Sequence, residues 1–146
     1  MKKQEYLDLQ KKHEKEVSDF PIAYAFNDEQ LKEALIKLGA ESTKECVSIF
    51  GHGDIVKRTD AKAFIDMLGR HRKETHEKMV NDHDFAYEAF LYEMDNHEYA
   101  INWTGDEDVL ACFVMKEEDL EHYELTVPYA KARRQHMKNA QEWGMI

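Results

Sequence analysis

Eight histidines and two cysteines are the residues whose types suit metal binding or nucleophilic catalysis. His71 and His76 lie five positions apart, so a helix would turn them to different sides. The sequence contains no His-Glu-x-x-His or Cys-x-x-Cys spacing. Cys46 and Cys112 are far apart without an adjacent histidine, so each is expected to be a small buried hydrophobe. We therefore expect no catalytic residue, no metal and no cofactor, and predict that the chain is not an enzyme.

Two polar segments are the remaining candidates for a metal site. Asp82-His83-Asp84 and His97-Glu98 contain residue types that can ligate a metal if folding brings them together. A polar histidine in a turn more commonly caps a helix or faces solvent. We therefore expect both segments to have structural roles.

The run Gly51-His52-Gly53-Asp54 is the most specific local feature of the sequence. Its glycines permit positive φ angles and the close approach of a partner. Two cations and a predicted helix start follow, and a helix start can accept an anion. The alternative function is thus binding of a nucleotide or other anion by Gly51, His52, Gly53, Lys57, Arg58 and Thr59. The run lacks the spacing of a phosphate-binding loop, and ordinary hairpin turns share its composition.

Negative charge is concentrated in one part of the chain. Residues 1–80 carry 15 Lys+Arg and 15 Asp+Glu, whereas residues 81–128 carry 1 and 14. Such a segment repels a phosphate backbone and attracts a basic groove, so we expect no direct binding to nucleic acid. The predicted partner-binding residues are Asp106, Glu107, Asp108, Glu117, Glu118, Asp119 and Glu121. The alternative is that these carboxylates only solvate an exposed face.

The pattern of apolar residues predicts an α+β fold in a single domain, 1–146, with several helices packed on a small, mainly antiparallel sheet. Asn27 and Gly39 have the residue types of a helix cap and a helix stop, which makes the helix between them the clearest element. Helices are predicted near 3–17, 28–38, 59–79, 85–95, 108–113, 117–123 and 128–143, and strands at 22–26, 47–50, 55–57 and 99–103.

The last predicted helix is the one basic segment of the acidic second half. Its expected buried stripe comprises Tyr129, Ala132, His136, Ala140 and Trp143. Its four cations should then point outward or toward neighbouring carboxylates. We expect Trp143, the largest member, to contribute most to the stability of this helix.

The start of the sequence shows no apolar core of a signal peptide, and no run approaches the roughly 20 apolar residues that cross a bilayer. We therefore expect a cytoplasmic protein without a membrane partner. The oligomeric state is left open.

Three stretches carry a resemblance to a known family. They are Ile22–Asn27 continuing into Gln30-Leu31 and Lys37–Gly39, then Ser48–Asp60, and later Asn96–Tyr99. Over roughly residues 20–103 the chain resembles a domain of unknown function found in small proteins of Firmicutes and their phages and mobile elements. The resemblance implies a genetic context, in which small acidic proteins often bind and block a host protein.

The leading hypothesis combines that context with the charge pattern. It is a non-catalytic protein-binding module whose acidic surface imitates a phosphate array. The expected partner is a host nucleic-acid-handling or defence protein with a basic groove.

Overall fold

The computed structural model describes residues 1–97 and 105–144. These ranges form helices α1 (Lys2–Asp19), α2 (Asp28–Leu38), α3 (Arg58–Asn81), α4 (His83–Asn96), α5 (Gly105–Ala111), α6 (Glu117–His122) and α7 (Thr126–Glu142), with a 3₁₀ turn at Thr43–Glu45. The strands are β1 (Ile22–Tyr24), β2 (Cys46–Val47) and β3 (Asp54–Lys57). The predicted α+β class is confirmed, and the strand predicted at 99–103 lies outside the described residues. None of the helices in these ranges combines the length and apolar character that a membrane crossing needs.

The chain divides into two compact units. The sheet unit comprises residues 11–71, and the helical unit comprises residues 1–10 and 72–146. Both divisions fall inside long helices, because α1 and α3 each contribute residues to both units. Whether the two units act as one domain stays a prediction.

The sheet unit contains an antiparallel sheet with strand order β1-β3-β2. Val56 in the central strand lies opposite Ile22 on one side and Val47 on the other. Val56 and Phe64 are fully buried in its main apolar cluster. Burial of these side chains removes apolar surface from water and so stabilises the unit.

Helix α2 follows its sequence signals closely. The Asn27 side chain accepts a hydrogen bond from the Gln30 amide at 2.8 Å, and the Gln30 side chain accepts one from the Phe26 amide at 2.8 Å. Gly39 ends the helix with φ 69°. The predicted cap and stop of α2 are both confirmed.

The helical unit is built around a larger apolar cluster, in which α4 packs mainly on α7. Asp82 caps α4 by accepting a hydrogen bond from the Phe85 amide at 3.1 Å. Phe90 is fully buried and meets the rings of Phe113 and Tyr129 edge to face, with centroids 5.2 and 5.0 Å apart. Such aromatic pairs stabilise a core beyond the apolar area they bury.

Two expectations about single side chains are wrong. Trp143 is 55% exposed, because α7 ends at Glu142 and Gly144 turns the chain with φ 75°, so the indole lies beyond the packed turns. The four other residues of the predicted α7 stripe are buried. Cys46 is half-buried and Cys112 is exposed. Cys112 follows the last residue of the short helix α5, where the chain turns at the surface.

Candidate functional site

The predicted acidic residues cluster at two helix starts in the helical unit. Asp106, Glu107 and Asp108 occupy the first turn of α5, and Glu117, Glu118 and Asp119 occupy the first turn of α6. Carboxylates near a helix start interact favourably with its unpaired amide groups and dipole. This placement gives the two acidic runs a structural role in starting short helices.

Two of these carboxylates are held by local hydrogen bonds. Asp119 accepts from the Lys116 amide at 2.8 Å, and Asp106 accepts from the Tyr129 hydroxyl at 2.5 Å. Both residues are half-buried, whereas the other five predicted partner-binding residues are exposed. The side chains of these five residues lie at the surface.

Folding brings five of the seven predicted residues onto two adjoining concavities. Asp106, Glu117 and Glu121 line a concavity of about 530 Å³. Glu107, Glu117 and Glu118 line a second one of about 440 Å³. Glu117 belongs to both, so the two sequence clusters form one surface, which we call the acidic face: Asp106, Glu107, Glu117, Glu118 and Glu121. Asp108 and Asp119 do not line either concavity.

Cations also line these concavities. Arg133 and Arg134 from α7 border the first, and Lys116 borders the second. Two of the four α7 cations thus share a concavity with carboxylates, and the expected charge pairing stays a prediction. The acidic face is therefore a mixed surface with an excess of negative charge.

In the sheet unit, the glycine-containing loop is organised around the Asp54 carboxylate. This side chain is 1% exposed. One oxygen accepts from the amides of Ile49 and Phe50 at 2.8 and 3.0 Å, and the other accepts from the Ser48 hydroxyl at 2.9 Å and the His52 amide at 3.3 Å. Burial acts to raise the pKa of Asp54, but these hydrogen bonds outweigh burial and lower it to about 2.

The same bonds explain why the predicted strand over 47–50 ends at Val47. The amides of Ile49 and Phe50 turn inward to Asp54, so they do not extend the ladder with β3. Gly51 and Gly53 allow that turn, with φ 74° and 85°.

The loop's geometry bears on the small-ligand alternative. Of the predicted residues, His52 donates its amide to Asp54, as do the neighbouring Ile49 and Phe50. Arg58 begins α3, and its Nε donates to the Lys44 carbonyl at 2.7 Å. Lys57 lies in β3 and Thr59 in the first turn of α3, whereas Gly51 and His52 are exposed. One predicted amide thus binds an internal carboxylate, and anion binding at this turn stays a prediction.

Sequence reasoning named His97 as a possible metal ligand but missed the arrangement that it forms with Glu93 and Cys112 in the helical unit. Glu93, His97 and Cys112 each present a metal-ligating atom, and all three atoms lie within 4.8 Å of one another. His97 Nε2 lies 3.2 Å from Cys112 Sγ and 3.3 Å from Glu93 Oε2. The i, i+4 spacing of Glu93 and His97 was the available signal, since it places both on one face of a helix. The approach of Cys112 depends on the packing of α5 against α4.

A cysteine beside a histidine also raises the question of nucleophilic catalysis. Here partial burial of the sulfur, the adjacent Glu93 charge and a hydrogen bond to Glu93 raise the pKa of Cys112 to about 12. A nucleophilic cysteine needs the opposite shift, because the thiolate is the reactive form. Without a bound cation, the arrangement therefore keeps its thiol protonated at neutral pH.

Comparison with curated proteins and with solved structures finds no match. Comparison with sequence families finds a match over residues 5–139 to DUF7659, a family of unknown function. The resemblance to an uncharacterised family is confirmed, and the match extends well beyond residues 20–103. The chain belongs to the DUF7659 family.

Proposed function

We propose that the chain is a non-catalytic binding module that presents its acidic face to a basic groove on a partner protein. The observation that carries this proposal is the convergence of two acidic helix starts on two concavities that share Glu117. A charged concavity raises the association rate of an oppositely charged partner and orients it.

The proposal also names a class of partner protein. A basic groove that holds nucleic acid is built to receive closely spaced negative charges, which the acidic face also offers. We propose a host nucleic-acid-handling or defence protein as the partner, and a phage or mobile element as the source of the chain. Blocking such a groove would inhibit the partner in the cytoplasm without any catalytic step.

The cations of the two concavities refine the expected contact. Arg133, Arg134 and Lys116 lie beside the carboxylates that a basic partner would approach. A partner must therefore compete with these cations, which limits binding by arbitrary basic proteins. Neutralising both arginines, as R133Q/R134Q, should strengthen binding to a basic probe.

The first experiment measures binding of a fluorescently labelled arginine-rich peptide by anisotropy at about 50 mM and about 200 mM salt. The test variant is E117K/E118K, which reverses two exposed charges at the start of α6. The matched control is D28K/E29K, which makes the same charge change at two exposed positions in the first turn of α2. Circular dichroism checks that both variants fold.

We expect E117K/E118K to weaken binding at least about tenfold at low salt and D28K/E29K to change it less than about twofold. Equal weakening in the two variants would attribute binding to net charge and overturn the proposal.

A second experiment tests the partner class. The immobilised chain captures proteins from a bacterial lysate with and without duplex DNA as competitor. We expect a nucleic-acid-binding protein that is captured by the wild type and by D28K/E29K, lost with E117K/E118K and displaced by DNA. Capture that is insensitive to both E117K/E118K and DNA would contradict the proposed partner.

A further inference from the structure

The cluster formed by Glu93, His97 and Cys112 joins two helices of the helical unit and contains none of the five carboxylates of the acidic face. Glu93 lies in the last turn of α4, and His97 is the residue that caps its C-terminus. Cys112 directly follows α5. The cluster therefore brings three different ligand types, a carboxylate, an imidazole and a thiol, to the adjacent ends of two helices.

We propose that this cluster binds a zinc ion. Zinc bonds to nitrogen, oxygen and sulfur at about 2.0–2.3 Å, so ligand atoms in a tetrahedral site lie about 3.3–3.6 Å apart. His97 Nε2 already lies at 3.2 and 3.3 Å from the other two ligand atoms. The remaining separation, between sulfur and carboxylate, is within 4.8 Å. A small rotation of the exposed Cys112 side chain would complete a tetrahedral face.

The carboxylate of the cluster is held in place by neighbouring residues. Glu93 is 4% exposed, and its Oε1 accepts from the Tyr6 hydroxyl at 2.8 Å and from Gln10 Nε2 at 3.2 Å. Its Oε2 is the atom that faces His97. Hydrogen bonds of this kind orient metal ligands and are typical of the second layer of metal sites. Tyr6 and Gln10 therefore act as positioning residues.

Charge favours a cation at the same point. In the described part of the chain, Glu93 contacts Tyr6, Gln10, His97 and Cys112, and none of these residues is a lysine or arginine. A buried carboxylate without a fixed positive partner is costly, and a divalent ion would supply the missing charge. The ion would also bind Cys112 as the thiolate, because coordination removes the thiol proton.

The ligand types select the class of metal. Calcium and magnesium prefer oxygen ligands and rarely accept sulfur or imidazole. A thiolate, an imidazole and one carboxylate suit zinc, which takes mixed ligands in tetrahedral geometry. Three protein ligands leave a fourth position for water or for a donor atom of another molecule. His97 and Cys112 are exposed, so solvent reaches the cluster.

The test measures zinc binding to the full chain by competition with a chromophoric chelator, and cobalt binding by absorption spectroscopy. Tetrahedral cobalt with a thiolate ligand gives an intense sulfur-to-metal band, which reports Cys112 directly. The test variants are H97Q and C112S, which change exposed side chains. The controls are H83Q, at an exposed histidine of the same helix, and C46S, at the other cysteine.

We expect one zinc per chain and a loss of affinity of at least about a hundredfold in H97Q and C112S, with no sulfur band in C112S. H83Q and C46S should match the wild type. Tyr6→Phe keeps the buried ring and removes the hydroxyl, so it should weaken zinc binding about tenfold while retaining the sulfur band. Unchanged zinc affinity in folded H97Q or C112S, or equal loss in the two controls, would overturn the site.

Discussion

The Asp54 loop of the sheet unit and the Glu93 cluster of the helical unit both contain a buried carboxylate, but the two carboxylates have different partners. Asp54 accepts four hydrogen bonds from its own loop, two on each oxygen. Glu93 accepts from Tyr6 and Gln10 on one oxygen, while its other oxygen faces an imidazole. A carboxylate satisfied by neighbouring amides stabilises local structure. One that directs an oxygen toward a histidine and a cysteine is placed to bind a ligand.

The largest expected effect is at Asp54. The substitution Asp54→Asn replaces one acceptor oxygen with a donor that faces amide or hydroxyl donors. Unsatisfied buried donors cost about 1–3 kcal/mol each, so we expect the free energy of unfolding to fall by about 3 kcal/mol. Urea denaturation measures it. Asp66→Asn is the control, because Asp66 forms an exposed ion pair with Lys62 and should matter by less than about 1 kcal/mol. Equal losses in the two variants would show that the buried hydrogen bonds of Asp54 stabilise the fold no more than an exposed ion pair does.

Acid titration tests the same carboxylate through its charge. The pKa of Asp54 is lowered from 3.8 to about 2 in the folded chain. A lowered pKa contributes stability at pH values above the ordinary pKa, and that stability is lost as pH falls through the folded value. We expect wild type to lose about 2 kcal/mol more than Asp54→Asn between about pH 5 and pH 2.

A control for this titration is Glu16, whose pKa is also lowered to about 2, by hydrogen bonds from Arg70 and His71. Glu16→Gln should retain the Asp54-dependent part of the acid response. Parallel acid curves for wild type and Asp54→Asn would show that the loop does not depend on the carboxylate charge.

The backbone of the loop gives a smaller effect. A methyl group at Gly53, which has φ 85°, would lie 2.6 Å from the Phe26 ring, whereas one at Gly51, which has φ 74°, meets nothing within 4 Å. Both substitutions to alanine strain the backbone by about 1 kcal/mol, and Gly53→Ala adds a steric clash. We expect Gly53→Ala to lower the unfolding free energy by about 2 kcal/mol and Gly51→Ala by about 1 kcal/mol. The reverse order in urea denaturation would mean that the loop is looser around Phe26 than around Gly51.

The sequence predicted some regions more accurately than others. Contacts between residues close in sequence could be predicted, whereas contacts that depend on the fold could not. Helix α2 was predictable because Asn27 and Gly39 act on residues within one turn. The strand over 47–50 was predicted too long, since apolar Ile49 and Phe50 suit a strand but their amides bind Asp54. Helical periodicity put Trp143 on the stripe but could not show where the packing of α7 ends.

Prediction of the candidate sites was also limited by contacts that depend on tertiary packing. The acidic residues were named from composition, but their meeting at Glu117 depends on how α5 and α6 pack. Helical spacing could have paired Glu93 with His97, because side chains four positions apart in a helix are neighbours. Cys112 could not be assigned by such a rule, since it lies fifteen positions after His97 and only tertiary packing brings the two together.

The smallest expected change in stability comes from Glu93→Gln, and it separates the two carboxylates most sharply. Glutamine keeps the size of the side chain and an oxygen that can accept from Tyr6, while it removes a buried charge that lacks a lysine or arginine partner among the described residues. The loss of hydrogen-bond strength and the relief of the buried charge oppose each other. We expect the unfolding free energy of the metal-free chain to change by less than about 1 kcal/mol.

Zinc should then distinguish the variants in a thermal melt. A ligand that binds the folded chain raises its stability by about 2.7 kcal/mol at a hundredfold excess over its Kd, so zinc should raise the Tm of wild type. It should raise the Tm of Asp54→Asn by a similar amount, because the loop carboxylate takes no part in the site. Glu93→Gln should show little zinc-dependent shift, since it removes the anionic ligand. A strong loss of metal-free stability in Glu93→Gln would show that Glu93, like Asp54, serves the fold, and a full zinc shift in that variant would contradict its role as a ligand.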